Sequence, residues 1–275
     1  MLACGALLLV GLAAGFRWRG LQFTAPDTAT PLTAGEVARR FVWYSSITFA
    51  AGIAAGLTII GGGGRLAMRL LAATSDSAAQ GRLTEADEVV GTITVDGTIG
   101  FVVFNGIFGG LIGAVLFLLV RRFLPLGPWS GVAFGLALLV IFGATIDPLR
   151  AKNPDFDIVG PGWLSVVVFT AMAIAFGIAV RGMAARLSGW LPPLTADRRV
   201  LLRYAPSFLL AAIAFSVTAI LAVACVVVVA VTRWPPVVEA VRSPRWVLVG
   251  RALTIVVVVV SLPNFVSNVL DIATG

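Results

Sequence analysis

Two arginines four residues apart, Arg65 and Arg69, follow directly on four consecutive glycines, Gly61 to Gly64. This pattern suits anion binding. Glycines leave backbone N–H groups accessible, a helix N-terminus favours negative charge, and two guanidiniums on one helical face can chelate a phosphate. The spacing is not that of a nucleotide-binding loop, which needs G-x-x-x-x-G-K-[ST], and no strand pattern precedes it. The plainer reading is a hinge whose arginines snorkel to lipid phosphates. Glycine accepts the left-handed cap conformation and costs about 1 kcal/mol inside a helix, so the run is expected to end the preceding helix. From Arg65 to Ala73 an amphipathic interfacial helix is expected, with Leu66, Leu70 and Ala73 on its apolar face.

Carboxylates offer a second chemistry. Glu85, Asp87, Glu88 and Asp96 lie close together, and Asp147, Asp155 and Asp157 lie in a later loop. Together they could hold a cation, or simply form a solvated acidic face. Thr84-Glu85-Ala86-Asp87 has the form of a capping box, and Thr92 to Val95 alternates polar and apolar before Asp96-Gly97, a pair favoured in hairpin turns. Residues 61–98 are therefore expected to form a small cap outside the membrane, with an interfacial helix and a short β-hairpin.

Polar residues inside apolar segments are the remaining candidates. Asn105 can hydrogen-bond to a neighbouring helix. Arg251 follows Trp246 by five residues, and Asp147 is its expected partner; snorkelling is the simpler account of this arginine. Pro263 kinks the last segment, and Asn264, Asn268 and Asp271 make its end polar. Gly106, Gly109, Gly110 and Gly113 form a stripe expected to admit a neighbouring backbone.

What is missing narrows the chemistry further. The chain has no histidine, which removes bis-histidine haem, histidine-ligated zinc, Ser-His-Asp catalysis and histidine proton relays. Cys4 and Cys225 occupy different apolar segments and read as small hydrophobes. No cofactor fingerprint is present, and no arginine cluster is interleaved with aromatics in the manner of a nucleic-acid surface. The +7 net charge fits arginines held near anionic lipids, and basic residues that are all arginine except Lys152 suggest a GC-rich bacterial source.

These groups must be positioned by membrane-crossing elements. With 59% hydrophobic and 12% charged residues, the chain has too little polar surface for a water-soluble fold of its size. The expected fold is all-α: a polytopic transmembrane bundle forming one domain over residues 1–275. Its seven spans are Leu2 to Phe16, Phe41 to Ile60, Ile99 to Val120, Ser130 to Ile146, Leu164 to Val180, Pro206 to Thr232 and Val247 to Leu270. All seven tryptophans fall at or just beyond span ends, where indoles favour the headgroup layer. Placing the N-terminus outside and the C-terminus inside puts eleven loop arginines in the cytoplasm, from Arg17 to Arg203, and eight basic residues outside.

The function expected is that of a non-catalytic integral protein of a bacterial cytoplasmic membrane, a structural or accessory part of an envelope assembly. Its expected partners are the lipid bilayer, its anionic lipids and other membrane subunits. A small-solute or ion transporter is the alternative, on the strength of Arg251, Asn105 and Pro263. A metal-dependent lipid-linked transferase using the outer carboxylates ranks third.

Overall fold

The computed structural model describes residues 1–25, 33–85, 89–213 and 215–274, with backbone alone at 157, 210–213, 215–219, 235, 241 and 242. Its helices are α1 (Leu2–Trp18), α2 (Ala34–Ala55), α3 (Gly64–Thr74), α4 (Val95–Val120), α5 (Trp129–Phe142), α6 (Gly162–Trp190), α7 (Arg198–Ile213), α8 (Phe215–Thr232), α9 (Pro235–Arg242) and α10 (Pro244–Thr274). Four helical stretches are long and apolar enough to cross a membrane, namely Ala34–Thr74, α4, α6 and α10; α1, α5 and part of α8 are shorter apolar helices.

The second helix does not stop at the glycines. Residues Gly56–Gly63 adopt a π-helix that joins α2 to α3, so Ala34–Thr74 is one helical stretch of 41 residues. The cap expected at Gly61 to Gly64 is absent because these glycines are buried between helices. A Cβ on Gly61 would lie 2.8 Å from the Val102 carbonyl oxygen, one on Gly62 3.0 Å from that of Cys4, and one on Gly64 2.9 Å from the Phe101 ring. Close packing on two sides, with no water to satisfy a broken backbone, outweighs glycine's cost of about 1 kcal/mol per residue. At the start of this stretch, Thr33 and Glu36 form a reciprocal capping box: the Glu36 N–H donates to Thr33 Oγ1 at 3.3 Å, and the Thr33 N–H to Glu36 Oε2 at 2.7 Å.

The expected hairpin is likewise absent. Among the described residues there is only an isolated bridge between Leu83 and Val89. Thr94 instead caps α4, accepting from the Gly97 N–H at 3.2 Å, and Asp96 sits in the first helical turn, where the helix dipole favours it. Ala86, Asp87 and Glu88, and with them most of the Thr84 capping pattern, lie outside the described residues.

The core sits where α2, α4 and α6 meet, around Trp43, Ile47, Ala51, Phe117, Phe134 and Phe176. Backbones meet through small residues: a Cβ on Gly52 would lie 2.8 Å from the Gly110 carbonyl oxygen, and one on Gly131 2.9 Å from that of Gly177. Gly106 and Gly110 are buried against Gly56 and Gly52, and Gly113 against the Phe176 ring, whereas Gly109 is only half-buried and meets the Ile60 side chain. The glycine stripe thus packs helix to helix through three of its four members.

Two ends of the bundle can be told apart. At the basic end lie the start of α2, the last turns of α1, α4 and α6, and the start of α10, where Gly250 packs on Phe123. At the acidic end lie α3, the start of α6, residues 75–85, 89–94 and 143–161, and the last turns of α10, where Ile272 packs on Gly162. The helix α1 begins on the acidic side, with Cys4 against Gly62. Both α6 and α10 therefore meet the basic end, one leaving the bundle and the other entering it. The intervening segment makes no net crossing, and α7 and α8 lie at the periphery, packed mainly on α2. Seven successive crossings are expected to direct α1's start and α10's finish to opposite sides; in the structure both point towards the acidic side, Cys4 against Gly62 and Ile272 against Gly162.

Candidate functional site

The densest polar constellation gathers around the final turns of α6 at the basic end. Arg181 is 8% exposed, and its Nε donates to Ser130 Oγ of α5 at 2.5 Å while Nη1 donates to the Arg19 carbonyl just beyond α1. Beyond it, the orphan carbonyls of a helix C-terminus are capped by side chains from elsewhere. The Trp190 carbonyl accepts from Arg203 Nη1 at 3.0 Å, that of Leu191 from Trp43 Nε1 at 2.8 Å, and that of Pro192 from the Tyr204 hydroxyl at 2.7 Å. Arg203 adds favourable charge at the negative end of the helix dipole.

Residues 19–24 strap this end together, the Thr24 N–H donating to Ser188 Oγ at 3.0 Å. Phe23 stacks parallel to Tyr44 at 6.0 Å and meets Trp43 edge-on at 5.6 Å. The Arg121 guanidinium lies 3.9 Å from the Phe23 ring centroid. Loss of hydration pushes Arg121 below its ordinary pKa while the Tyr44 hydroxyl pulls it back, which leaves it a cation held by aromatic faces. Sequence reasoning counted Arg181 and Arg121 only as loop charges and treated Trp43 as a belt residue. Trp43 is a core residue, 1% exposed, whereas Trp129, Trp163, Trp190, Trp234 and Trp246 are exposed. A signal for Arg181 was available: it stands among Val180, Gly182, Ala184 and Ala185, too small a set of neighbours for a lipid-facing position.

A second constellation closes the acidic end. Arg150 Nη2 bonds Glu85 Oε1 at 2.6 Å and Oε2 at 2.7 Å, and the Glu85 N–H donates to Asp155 Oδ1 at 2.7 Å. The Ala151 N–H donates to Asn268 Oδ1 at 2.8 Å, tying this loop to α10. Asp147 is held above the ordinary carboxylate value by loss of hydration; Arg150 opposes this, and Glu85 and Asp155 add to it. Among the described residues no group of three or more Cys, Asp or Glu is placed to hold a metal ion.

The remaining candidates are scattered. Arg65 Nε donates to Thr98 Oγ1 at 3.3 Å and Arg69 Nη1 to the Gly91 carbonyl at 3.3 Å, so both arginines join α3 to the chain leading into α4. The glycines before them are buried within the bundle and do not face an outer surface. Asn105 is exposed on the outer face of α4. Asn264 accepts from Asn268 Nδ2 at 3.2 Å near the acidic end. Arg251 lies at the basic end, seventeen residues before Asn268, about 25 Å of helix away. Its expected pairing with Asp147 is excluded by that separation, since α10 runs opposite to the assumed direction.

Comparison with known proteins finds no matching family model, no matching curated protein and no matching solved structure. Fold and composition together are those of a helical membrane protein.

Proposed function

We propose that the chain is a multi-pass protein of a bacterial cytoplasmic membrane, serving as a non-catalytic structural or accessory component of an envelope assembly. One observation carries this reading: the most firmly held charged side chains at each end of the bundle join the protein's own elements. Arg181 joins α6 to α5 and to the end of α1, and Arg150 joins two loops through Glu85. Asn105, Asp147, Arg251 and Asn264 do not converge on a shared cavity, which disfavours a transport path.

Charge supports an orientation. Segments tied to the basic end carry Arg17, Arg19, Arg39, Arg40, Arg121, Arg122, Arg181, Arg186, Arg198, Arg199, Arg203, Arg245 and Arg251; those tied to the acidic end carry Arg65, Arg69, Arg82, Arg150 and Lys152. That is thirteen against five. Basic residues are retained on the cytoplasmic side, so the basic end faces the cytoplasm and the acidic end, with α1's start and α10's finish, faces outward. Anionic lipids of the inner leaflet would surround the basic end.

Native purification in mild detergent, followed by mass spectrometry of whatever travels with the chain, tests the role. Stoichiometric copurification with other membrane subunits is expected. A protein that purifies alone and moves a solute across proteoliposomes would overturn it.

A further inference from the structure

The outward face of α4 carries a seam that nothing among the described residues covers. Asn105, Phe108, Ile112, Val115 and Leu119 follow one another at alternating spacings of three and four residues, the pattern of a and d positions in a two-helix coiled coil, and all five are exposed. The other side of α4 packs on α2, the π-helical stretch and α6, while α10 packs on α5 and α6, and α8 on α2.

Asn105 makes this more than an apolar face. It lies ten residues into α4, about 15 Å from Val95, at a depth where neither water nor headgroups reach. Its side-chain amide has no hydrogen-bond partner among the described residues. The contrast with Asn268 is instructive: that amide donates to the Asn264 carbonyl at 2.8 Å and accepts from the Ala151 N–H at 2.8 Å. An unpartnered amide in hydrocarbon is costly, and an asparagine at an a position finds its complement across the helix pair.

We propose that a second copy of this chain docks on this seam, the two α4 helices packing in parallel with Asn105 meeting Asn105. Two chemical facts favour a second copy over another partner. A primary amide is both donor and acceptor, so two related by a two-fold axis exchange hydrogen bonds and satisfy each other. Two copies inserted in the same orientation also place this residue at equal depth, a match another protein would have to reproduce separately. Asn105 sets the register, and Phe108, Ile112, Val115 and Leu119 supply the packing.

The test uses the full chain in phosphatidylcholine–phosphatidylglycerol vesicles at several protein-to-lipid ratios, in a background lacking Cys4 and Cys225. Ile112→Cys is expected to form a disulfide-linked dimer on oxidation, whereas Val103→Cys, exposed on the other flank of α4, is not. Adding Asn105→Leu to the Ile112→Cys protein should lower the dimer fraction about tenfold, the effect of losing one interhelical amide contact. Asn105→Gln, which keeps the amide, should hold most of it. Equal crosslinking at positions 103 and 112, or a dimer fraction unchanged by Asn105→Leu, would overturn the proposal. So would Asn105-dependent crosslinking to a different polypeptide in native membranes without any linked pair of this chain. The two cysteine positions decide the matter even if the leucine variant folds poorly.

Discussion

Arg181 of α6 and Ser130 of α5 are joined by a 2.5 Å hydrogen bond inside the basic end, where the guanidinium also holds the Arg19 carbonyl. One side chain thus fixes the start of α5 and the strap after α1 to the last third of α6. Arg181→Ala should lower stability in detergent by about 2 to 3 kcal/mol, the scale of buried hydrogen bonds from a charged donor. Arg181→Lys should recover only part, because an ammonium cannot span both acceptors in the guanidinium's fixed geometry. Thermal unfolding of the two variants checks this, and an unchanged midpoint in both would remove Arg181 from the framework.

Neighbouring glycines in α4 should differ sharply. A Cβ at Gly110 would meet the backbone of α2 and the π-helical stretch, whereas one at Gly109 would meet only the flexible end of Ile60 at 3.1 Å. Gly110→Ala is therefore expected to destabilise by about 1 to 3 kcal/mol through overpacking. Gly109→Ala should be neutral or gain up to about 1 kcal/mol from helix propensity. Equal melting points would mean that the close approach at Gly110 is not a tight constraint.

Accessibility tests the disposition of the ends. With Cys4 and Cys225 replaced, single cysteines at Ser77 and Thr274 should both react with an impermeant thiol reagent added to intact cells, and one at Thr195 only after permeabilisation. Opposite behaviour of Ser77 and Thr274 would show that the segment between α6 and α10 makes a net crossing.

Asp147 provides a pH signature. Its folded-state pKa is raised, so between the unfolded and folded values the native protein binds a proton that the unfolded chain has released. Stability should then fall as pH rises through that window. Asp147→Asn should flatten this dependence and raise the melting point above it. An identical pH profile in the variant would show that the carboxyl titrates alike in both states.

Much of the architecture was legible because apolar runs must cross or line a bilayer. The expected span Ile99 to Val120 lies within α4, and Leu164 to Val180 within the longer α6. The glycine run misled because its intrinsic helix cost is local, while the contacts that outweigh it come from Cys4, Phe101 and Val102, far away in sequence. Asp96-Gly97 misled for a related reason: an aspartate in a hairpin turn and one in a first helical turn look alike until Thr94 is seen to cap. The polar junctions were hardest to foresee. Arg181, Ser130 and Arg19 are separated by long stretches of chain, and nothing periodic marks three carbonyls that will accept from Arg203, Trp43 and Tyr204.

The unbroken helix from Ala34 to Thr74 is about 60 Å long, twice the hydrocarbon thickness it passes through. A rod of that length reaches beyond both edges of such a layer, so its two arms emerge at opposite ends of the bundle. A tilt of about 5° at its foot in the basic end displaces the far tip by about 5 Å, simply from its length. That tip is tied to the segment before α6, the Ser75 hydroxyl accepting from the Gly160 N–H at 2.6 Å, and to the loop that follows it, the Gln80 amide donating to the Ala72 carbonyl at 2.9 Å. A small change of angle at one end of the bundle therefore corresponds to a larger displacement at the other, set by the length of the helix alone.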